Sequence, residues 1–302
     1  MMLLKLLLLC QREESLNKFF SFFLICFIIR TVGDFMEKYD VKFKKKFGQN
    51  FLKNINTVKR IVDVSGVSSD DLVIEVGPGG AIMTRELAMC AKNVLAYEID
   101  TELSDELFKR LDGLDNVDVL FQDFLEADIP SDVEKYDYDK LYFVSNVPYY
   151  ITTPILMKLV KSHLSFEKIV MMVQKEVGDR FSTGPGTREY GSITVLLNYF
   201  YDIKKEFFVS KKEFVPEPKV DSVIVSFKEK KERREVVDLD FFEKIVRDSF
   251  QFKRKTIKNN LKSYDLNIVE NILNNYGYDL SVRAENLQLD VFIDLANGLY
   301  NK

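Results

Sequence analysis

A glycine-rich turn lies at the end of a short apolar run. The run VIEV ends in the turn GPGG, which begins at Gly77, and a helical pattern follows at once. Glycines let a backbone pass close beneath a ligand, and the start of a helix adds unpaired N–H donors. The residues after Gly77 and Gly79 do not complete the dinucleotide pattern G-x-G-x-x-G, which weakens a nicotinamide dinucleotide interpretation. A plain strand-to-helix turn is the alternative.

Two carboxylates follow the ends of the next two apolar runs. Glu98 lies 21 positions after Gly77, and a carboxylate about 20 residues beyond a glycine turn can accept both hydroxyls of a ribose. Asp123, in FQDF, can accept a hydrogen bond from an exocyclic adenine amine. Each is weak evidence alone, but the glycine turn and both carboxylates together predict an adenosine site for S-adenosylmethionine or a similar nucleoside cofactor.

The fourth apolar run, Leu141–Val144, leads into SNVPYYITTP. A turn would explain the Asn and the Pro but not the two Tyr residues. An adenine amine is a poor nucleophile because its lone pair is delocalised into the ring. Asn146 and a backbone carbonyl near Pro148 can accept its two N–H bonds, and Tyr149 can stack on the ring. Positioning then supplies most of the effect, without a metal or a strong base. Tyr150 is expected to pack against the scaffold.

These residues need a scaffold that brings them together. From Asp70 to about Phe227, short apolar runs alternate with amphipathic stretches, which is typical of βα units around a mostly parallel sheet. The predicted strands are Leu72–Val76, Val94–Glu98, Val117–Phe121, Leu141–Val144, Ile169–Val173, Lys205–Val209 and Asp221–Phe227. The predicted helices are Thr57–Val64, Ala81–Ala91, Thr101–Leu111, Ile155–Lys161 and Ile193–Tyr199. FVPEPKV joins the last two strands so closely that they are expected to form an antiparallel hairpin.

The two ends of the chain differ from this pattern. Apolar positions recur at helical spacing after Lys228, which predicts a small all-α domain over residues 237–302. Residues 1–35 hold two apolar runs, each shorter than the roughly 20 residues that span a bilayer. They indicate either a membrane-touching extension or translated upstream sequence before a start at Met36, and we favour the second. The catalytic domain is then predicted over residues 36–230.

Composition excludes several classes of protein. The chain has 302 residues, 46% of them hydrophobic, and a net charge of −4, so nucleic-acid binding must depend on local basic clusters. Three scattered cysteines argue against a disulfide framework and suit a reducing cytoplasm. The single histidine, His163, argues against a metalloprotease and is expected at the surface.

From Lys44 to Lys302 the chain resembles the small-subunit ribosomal RNA adenine N6,N6-dimethyltransferases, which modify two adjacent adenines in a hairpin near the 3′ end of 16S rRNA. The matching segments are KKKFGQNFL, EVGPGGAIMT, YEID, QDFLEAD, NVPYYITTPIL, MVQKEVGDRF, REYGSITV, FVPEPKVDSVIV and FKRKTIKNNL. The resemblance implies a Rossmann-like, class I S-adenosylmethionine-dependent methyltransferase sheet, mostly parallel with a terminal antiparallel hairpin, beside the all-α C-terminal domain.

The resemblance also implies roles for individual residues. The implied contacts to S-adenosylmethionine are Asn50, Leu52, Gly77, Glu98, Asp123 and Asn146, with no metal. Asn146, Pro148 and Tyr149 would hold the target adenine, and Phe181 would stack on its other face. Val147 replaces the more common Leu and should keep the turn. Ala81 replaces a frequent Gly, where only a small residue is expected to be needed.

The implied partner is 16S rRNA within the immature small subunit, bound by a cytoplasmic monomer away from membranes. Two basic clusters are expected to contact phosphate: Lys42, Lys44, Lys45 and Lys46, and Lys253, Arg254, Lys255 and Lys258 on a C-terminal helix. The mixed run Lys228–Arg234 is interpreted as a solvated surface. The target base must be unpaired or flipped to reach Tyr149 and Phe181.

Other functions remain open at this point. A macrolide-resistance type of 23S rRNA adenine methyltransferase shares the Asn-x-Pro-aromatic motif, although FVPEPKVDS and FKRKTIKNNL favour the small-subunit enzyme. A ribosome-assembly factor with secondary methylation, or a non-catalytic relative, would belong to another class. A DNA adenine methylase usually begins the related motif with Asp.

Overall fold

The computed structural model describes residues 50–300, which fall within one compact unit. The predicted N-terminal extension and the basic cluster from Lys42 to Lys46 lie outside these residues. In the part of the chain that is described, no helix is long and apolar enough to cross a membrane.

A seven-stranded sheet forms the centre of the described unit. Its strands are β2 (Leu72–Val76), β3 (Asn93–Glu98), β4 (Val117–Phe121), β5 (Leu141–Ser145), β6 (Lys168–Gln174), β7 (Tyr201–Val209) and β9 (Ser222–Glu229). The spatial order is β4-β3-β2-β5-β6-β9-β7. The first five of these are parallel, whereas β9 runs antiparallel to both β6 and β7. The predicted parallel sheet with a terminal antiparallel hairpin is therefore confirmed.

The helices connect these strands and continue beyond them. They are α1 (Ile55–Ser65), α2 (Ile82–Ala88), α3 (Ser104–Leu111), α4 (Ile129–Val133), α5 (Thr152–Lys161), α6 (Lys175–Phe181), α7 (Ser192–Phe200), α8 (Leu239–Ser249), α9 (Ile257–Asn260), α10 (Leu266–Asn274) and α11 (Leu289–Leu299). The sequence pattern predicted a helix in each of the α1, α2, α3, α5 and α7 regions, and these are confirmed. It did not predict the short helices α4 and α6.

Both faces of the central strands are buried, which explains why they read as continuous apolar runs. Ile74 and Phe143 belong to one apolar cluster, whereas their neighbours Val73 and Tyr142 belong to a second cluster. Successive side chains of a strand point to opposite faces, so the two clusters lie on opposite sides of the sheet. This packing fixes the strand ends that carry the polar residues.

A two-residue strand pair lies outside the large sheet and was not predicted. Strands β1 (Phe51–Leu52) and β8 (Phe214–Val215) pair antiparallel, with Leu52 opposite Phe214. The Lys53 amide also donates to the Glu213 carbonyl over 2.9 Å. The pairing ties the GQNFL segment to the FVPEPKV connection, two segments that are far apart in the sequence.

The C-terminal segment is helical, as predicted, and no strand follows Glu229 within the described residues. Its core is continuous with that of the sheet, because one apolar cluster holds both Phe143 and Phe242. The rings of Tyr199 and Phe242 lie 4.9 Å apart between α7 and α8. This segment therefore packs directly on the helices that cover the sheet.

Candidate active site at the carboxyl ends of the strands

Four predicted site residues follow the ends of four neighbouring parallel strands. In spatial order these are Asp123 after β4, Glu98 at the end of β3, Gly77 after β2 and Asn146 after β5. Carboxyl ends of parallel strands meet at one edge of a sheet, where open α/β folds bind their ligands. The sheet order thus brings these four residues to a single edge.

The glycine turn after β2 has the left-handed backbone that glycine permits. Gly77 has φ +74° and Gly79 has φ +50°. Residues other than glycine rarely adopt this region of backbone conformation. A Cβ atom on Gly79 would lie 2.6 Å from the Phe51 ring, whereas the equivalent position on Gly77 has open space. The turn is therefore closed on one side by Phe51 and open beside Gly77.

At position 81 the backbone conformation matters as well as the small side chain expected from the sequence. Ala81 has φ +58° and is fully buried, and its amide donates to the Pro78 carbonyl over 2.8 Å. A residue with a Cβ atom pays roughly 1–2 kcal/mol in this left-handed conformation. The frequent glycine here therefore satisfies a backbone requirement as well as a steric one.

Glu98 is buried rather than solvated, with 4% of its surface exposed. Its Oε1 accepts from the Asp100 amide over 2.9 Å, and its Oε2 accepts from the Gly79 amide over 3.3 Å. Burial raises the pKa of the Glu98 carboxyl, while these two backbone N–H donors oppose the rise. Each oxygen keeps a second lone pair, so the carboxylate can still accept from the hydroxyls of a ribose.

A second buried carboxyl lies two residues before Gly77 and was not identified from the sequence. Glu75 is 1% exposed and its Oε2 has no hydrogen-bond partner, and the same holds for the Oγ1 of buried Thr84 in α2. Burial raises the pKa of the Glu75 carboxyl to about 8; the nearby Thr84 hydroxyl offsets part of the rise and the charge of Glu98 adds to it. Glu75 is therefore largely neutral at pH 7.

Asp123 is half-buried, and its Oδ1 caps the following turn by accepting from the Leu125 amide over 2.8 Å. Its Oδ2 makes no hydrogen bond within the described chain and can serve as an acceptor. Ile99, directly after Glu98, is 48% exposed. An exposed aliphatic side chain directly after Glu98 can offer a flat base an apolar surface, and the sequence analysis did not identify it.

Ser145 connects the ends of β2 and β5 by hydrogen bonds, beyond the last paired residues of these two strands. Its hydroxyl donates to the Val76 carbonyl over 2.6 Å and accepts from the Val76 amide over 3.3 Å. Asn146 follows, and its Nδ2 donates to the Asn50 carbonyl over 3.4 Å. Asn50 and Asn146, both predicted to contact the cofactor, are thus neighbours, and the Asn146 Oδ1 keeps its acceptor capacity.

The turn after Asn146 holds Tyr149 in a defined position. Pro148 precedes a single 3₁₀ turn, Tyr149–Ile151, and its carbonyl accepts from the Ile151 amide over 3.1 Å. The Tyr149 hydroxyl lies 2.8 Å from the Ser222 hydroxyl on β9. Burial raises the pKa of Tyr149, so the phenol is neutral. Val147 is 1% exposed, which agrees with its expected role in keeping the turn.

The structure places two of the predicted site residues in the apolar core. The Leu52 side chain belongs to the cluster on one face of the sheet and is 7% exposed. Phe181 ends α6, is 1% exposed, and its ring meets Phe227 edge-on at 5.9 Å. A ring packed in this way has no open face for a base, so this structure does not bring Phe181 to the strand-end site.

Two further expectations need correction. Tyr150 is 63% exposed and does not pack against the scaffold. Lys253, Arg254 and Lys255 lie in the turn between α8 and α9 rather than on a helix. His163 is exposed, as predicted.

A buried amide holds this basic turn in place. The Asn260 Nδ2 donates to the Ser249 carbonyl over 2.6 Å, and its Oδ1 accepts from the Phe252 amide over 3.1 Å. Side-chain amides that satisfy backbone groups in this way fix irregular segments. The NN pair of FKRKTIKNNL could have suggested this role.

The sequence and the fold are similar to those of known proteins. Residues 40–300 match the family described as ribosomal RNA adenine dimethylase. A Ligilactobacillus salivarius protein named ribosomal RNA small subunit methyltransferase A is 43% identical over 273 residues, covering 87% of this chain and 92% of that protein. A Thermotoga neapolitana protein of the same name is 42% identical over 268 residues, covering 88% and 95%.

Two solved structures share the architecture. A dimethyladenosine transferase from Plasmodium falciparum matches with a TM-score of 0.68 and 27% identity, covering 81% of this chain and 95% of that one. The 23S rRNA methyltransferase ErmE matches with a TM-score of 0.65 and 28% identity, covering 82% and 99%. The chain belongs to the ribosomal RNA adenine dimethylase family of S-adenosylmethionine-dependent methyltransferases.

Proposed function

We propose that this chain is the enzyme that transfers methyl groups from S-adenosylmethionine to N6 of two adjacent adenines near the 3′ end of 16S rRNA, dimethylating both within the immature small subunit. It acts as a cytoplasmic monomer. Residues 36–230 form the catalytic domain, and residues 237–302 contribute to RNA binding.

The observation that carries this proposal is the arrangement of Asn146. Its Nδ2 donates to the Asn50 carbonyl, so its Oδ1 is left to accept from an N–H group in front of the strand ends. The residue lies after β5, beside the glycine turn after β2. An acceptor at this place suits an amine that approaches a methyl donor bound along the same edge.

The residues of the strand-end site fit an adenosine cofactor. The Glu98 carboxylate can accept the ribose hydroxyls, Asp123 Oδ2 can accept the adenine amine, and Ile99 can pack against the base. S-adenosylmethionine, when bound, supplies an electrophilic methyl group on a sulfonium.

The remaining residues position the adenine. Asn146 Oδ1 and a carbonyl near Pro148 accept the two N–H bonds of the amine and turn its nitrogen lone pair towards the methyl group. The Tyr149 ring, held through Ser222, stacks on the base. As the N–C bond forms, the methyl–sulfur bond would break and leave its electron pair on the sulfur. The nitrogen would then carry a positive charge, and its extra proton would pass to water, so no strong base is required. Correct placement of the two reactants is the main source of rate acceleration.

A 23S rRNA adenine methyltransferase is the second candidate, because ErmE shares the architecture. The two curated relatives above, both named for the small subunit and both above 40% identical, favour the 16S assignment. An assembly factor with secondary methylation is a third candidate, and it is compatible with the same site.

The variant Asn146→Ala tests the proposed catalytic role. Methyl transfer to small subunits is expected to fall by about 10²–10³-fold, the loss usual for one positioned hydrogen-bonding group. Small-subunit binding is expected to stay within a few-fold of wild type. Asn271→Ala, at an exposed position of α10, is the matched control. Full activity of Asn146→Ala would refute the role given to this residue.

A further inference from the structure

A cavity of about 550 Å³ lies away from the strand-end site. Its lining comes from α6, from the segment before α7 and from the turn after α8. None of the four strand-end residues lines it. The cavity therefore joins a helix that follows β6 to the C-terminal helical segment.

Three cations line this cavity: Arg180, Arg188 and Lys253. Within the described chain, neither guanidinium group forms an ion pair or a hydrogen bond, while Lys253 Nζ donates to the Arg188 carbonyl over 2.5 Å. Glu176 also lines the cavity one helical turn before Arg180, yet the two side chains do not pair. Lys175 and Asp179, at the same spacing on the same helix, pair at 3.1 Å.

A buried tyrosine gives an independent indication of a ligand. Tyr190 is 3% exposed, its hydroxyl has no partner within the described residues, and its ring meets Phe250 edge-on at 6.0 Å. Glu75 and Thr84 carry the partnerless side-chain oxygens that are sealed from solvent in the described chain. The Tyr190 hydroxyl also has no partner in the described chain, but it is not one of these sealed oxygens and so keeps some accessible surface. Because Tyr190 lines the cavity, we infer that its hydroxyl faces the cavity.

The wall next to Tyr190 adds backbone donors. Gly191 caps the nine-residue helix α7 without a side-chain hydrogen bond, and the amides of Ser192 and Ile193 make no backbone bond in the described structure. Gly191, Ser192 and Ile193 all line the cavity. Amides at the start of a helix favour anions, which agrees with the placement of the two arginines.

We propose that this cavity binds one nucleotide of the RNA substrate, separate from the adenine that accepts the methyl group. Arg180 and Arg188 contact its phosphate, and the Tyr190 hydroxyl bonds to an edge of its base. The carboxylates Glu176 and Glu189 also line the cavity, which disfavours a bare anion and favours a ligand that carries both a phosphate and N–H donors. Lys253 links the cavity to the basic turn between α8 and α9.

The inference rests on the proposed RNA methyltransferase function, and its test separates the two. The double variant Arg180→Ala/Arg188→Ala is compared with wild type for small-subunit binding and methylation over a range of salt concentrations. Loss of one phosphate contact is expected to reduce the slope of log K against log salt by about 0.7–0.9. We expect KM for the subunit to rise about tenfold with kcat little changed. Lys231→Ala, in the mixed run, is the control.

Tyr190→Phe provides a second readout, because it removes only the hydroxyl. KM is expected to rise a few-fold with an unchanged salt slope, since a neutral contact releases no counterions. An unchanged slope and KM in the arginine variant, with a wild-type melting temperature, would overturn the nucleotide site while leaving the proposed function intact. Failure of the wild-type protein to methylate any rRNA would instead remove the proposed function itself.

Discussion

The hydroxyl of Tyr149 lies 2.8 Å from the hydroxyl of Ser222, which connects the NVPYY turn to the first residue of β9. Ser222 is fully buried and Tyr149 is half-buried, so water has little access to the serine side of this hydrogen bond. The serine of the PKVDS segment therefore positions the ring that is proposed to stack on the target adenine. This role could not be predicted from the sequence.

Replacing Ser222 with Ala should slow methyl transfer by about five- to tenfold, because a hydrogen bond of about 1 kcal/mol no longer orients Tyr149. Cofactor affinity should be unchanged. Single-turnover methylation and equilibrium cofactor binding check this. Ser226→Ala, on the same strand but bonded to Glu206, is the control, and an equal loss of rate in both variants would argue against a specific role for Ser222.

Gly79→Ala should weaken cofactor binding beyond its cost in stability. The new Cβ would lie 2.6 Å from the Phe51 ring, so the ring and the glycine turn must separate. Gly113→Ala is the matched control, since Gly113 also has positive φ, +80°, but its Cβ position is open. Both variants should lose roughly 1 kcal/mol of stability from backbone strain. Equal cofactor affinities in the two variants would show that the Phe51 contact is unimportant.

Glu75 should make the stability of the cofactor-free protein depend on pH. Its pKa is raised by burial to about 8, so the folded state retains a proton that the unfolded chain releases above about pH 4.5. The free energy of unfolding should therefore fall with rising pH in this window, by up to about 1.4 kcal/mol per pH unit from this group.

The variant Glu75→Gln removes this titration. Its stability relative to wild type should increase between pH 5 and pH 8, as measured by urea unfolding at several pH values. A difference between the two proteins that is constant across this range would show that Glu75 is ionised in the folded state.

Tyr150→Ala should leave stability almost unchanged, because the ring is 63% exposed and exposed substitutions usually cost less than about 0.5 kcal/mol. Thermal unfolding beside Tyr142→Ala, in which a buried ring of β5 is removed, provides the contrast. A loss of several kcal/mol in Tyr150→Ala would restore the scaffold role expected from the sequence.

The sequence predicted those features of the fold that depend on residues close together in the chain. The runs Leu72–Val76 and Val117–Phe121 predicted strands with the observed bounds. Leu72–Val76 is buried at every position, whereas Val117–Phe121 is a partly exposed edge strand that includes Asp118. The alternation of runs and helical patterns predicted the parallel sheet. Parallel sheets place successive strand ends together, so the grouping of Gly77, Glu98 and Asp123 was also predictable.

Contacts between distant segments were not predictable in the same way. The pairing of Phe51–Leu52 with Phe214–Val215, the Tyr149–Ser222 hydrogen bond and the partnerless Glu75 depend on tertiary packing. The position of Phe181 also depends on tertiary packing. The family resemblance implied that its ring stacks on the base, whereas in this structure the ring lies at the end of α6 and packs edge-on against Phe227.

The most direct test of the proposed function is nucleoside analysis of rRNA after reaction of the purified protein with S-adenosylmethionine and either unmethylated small subunits or large subunits. We expect N6,N6-dimethyladenosine at two adjacent positions near the 3′ end of small-subunit rRNA, formed about 10²–10³-fold more slowly when Asn146→Ala is used. Methylation confined to large subunits, or a wild-type rate with Asn146→Ala, would contradict this expectation.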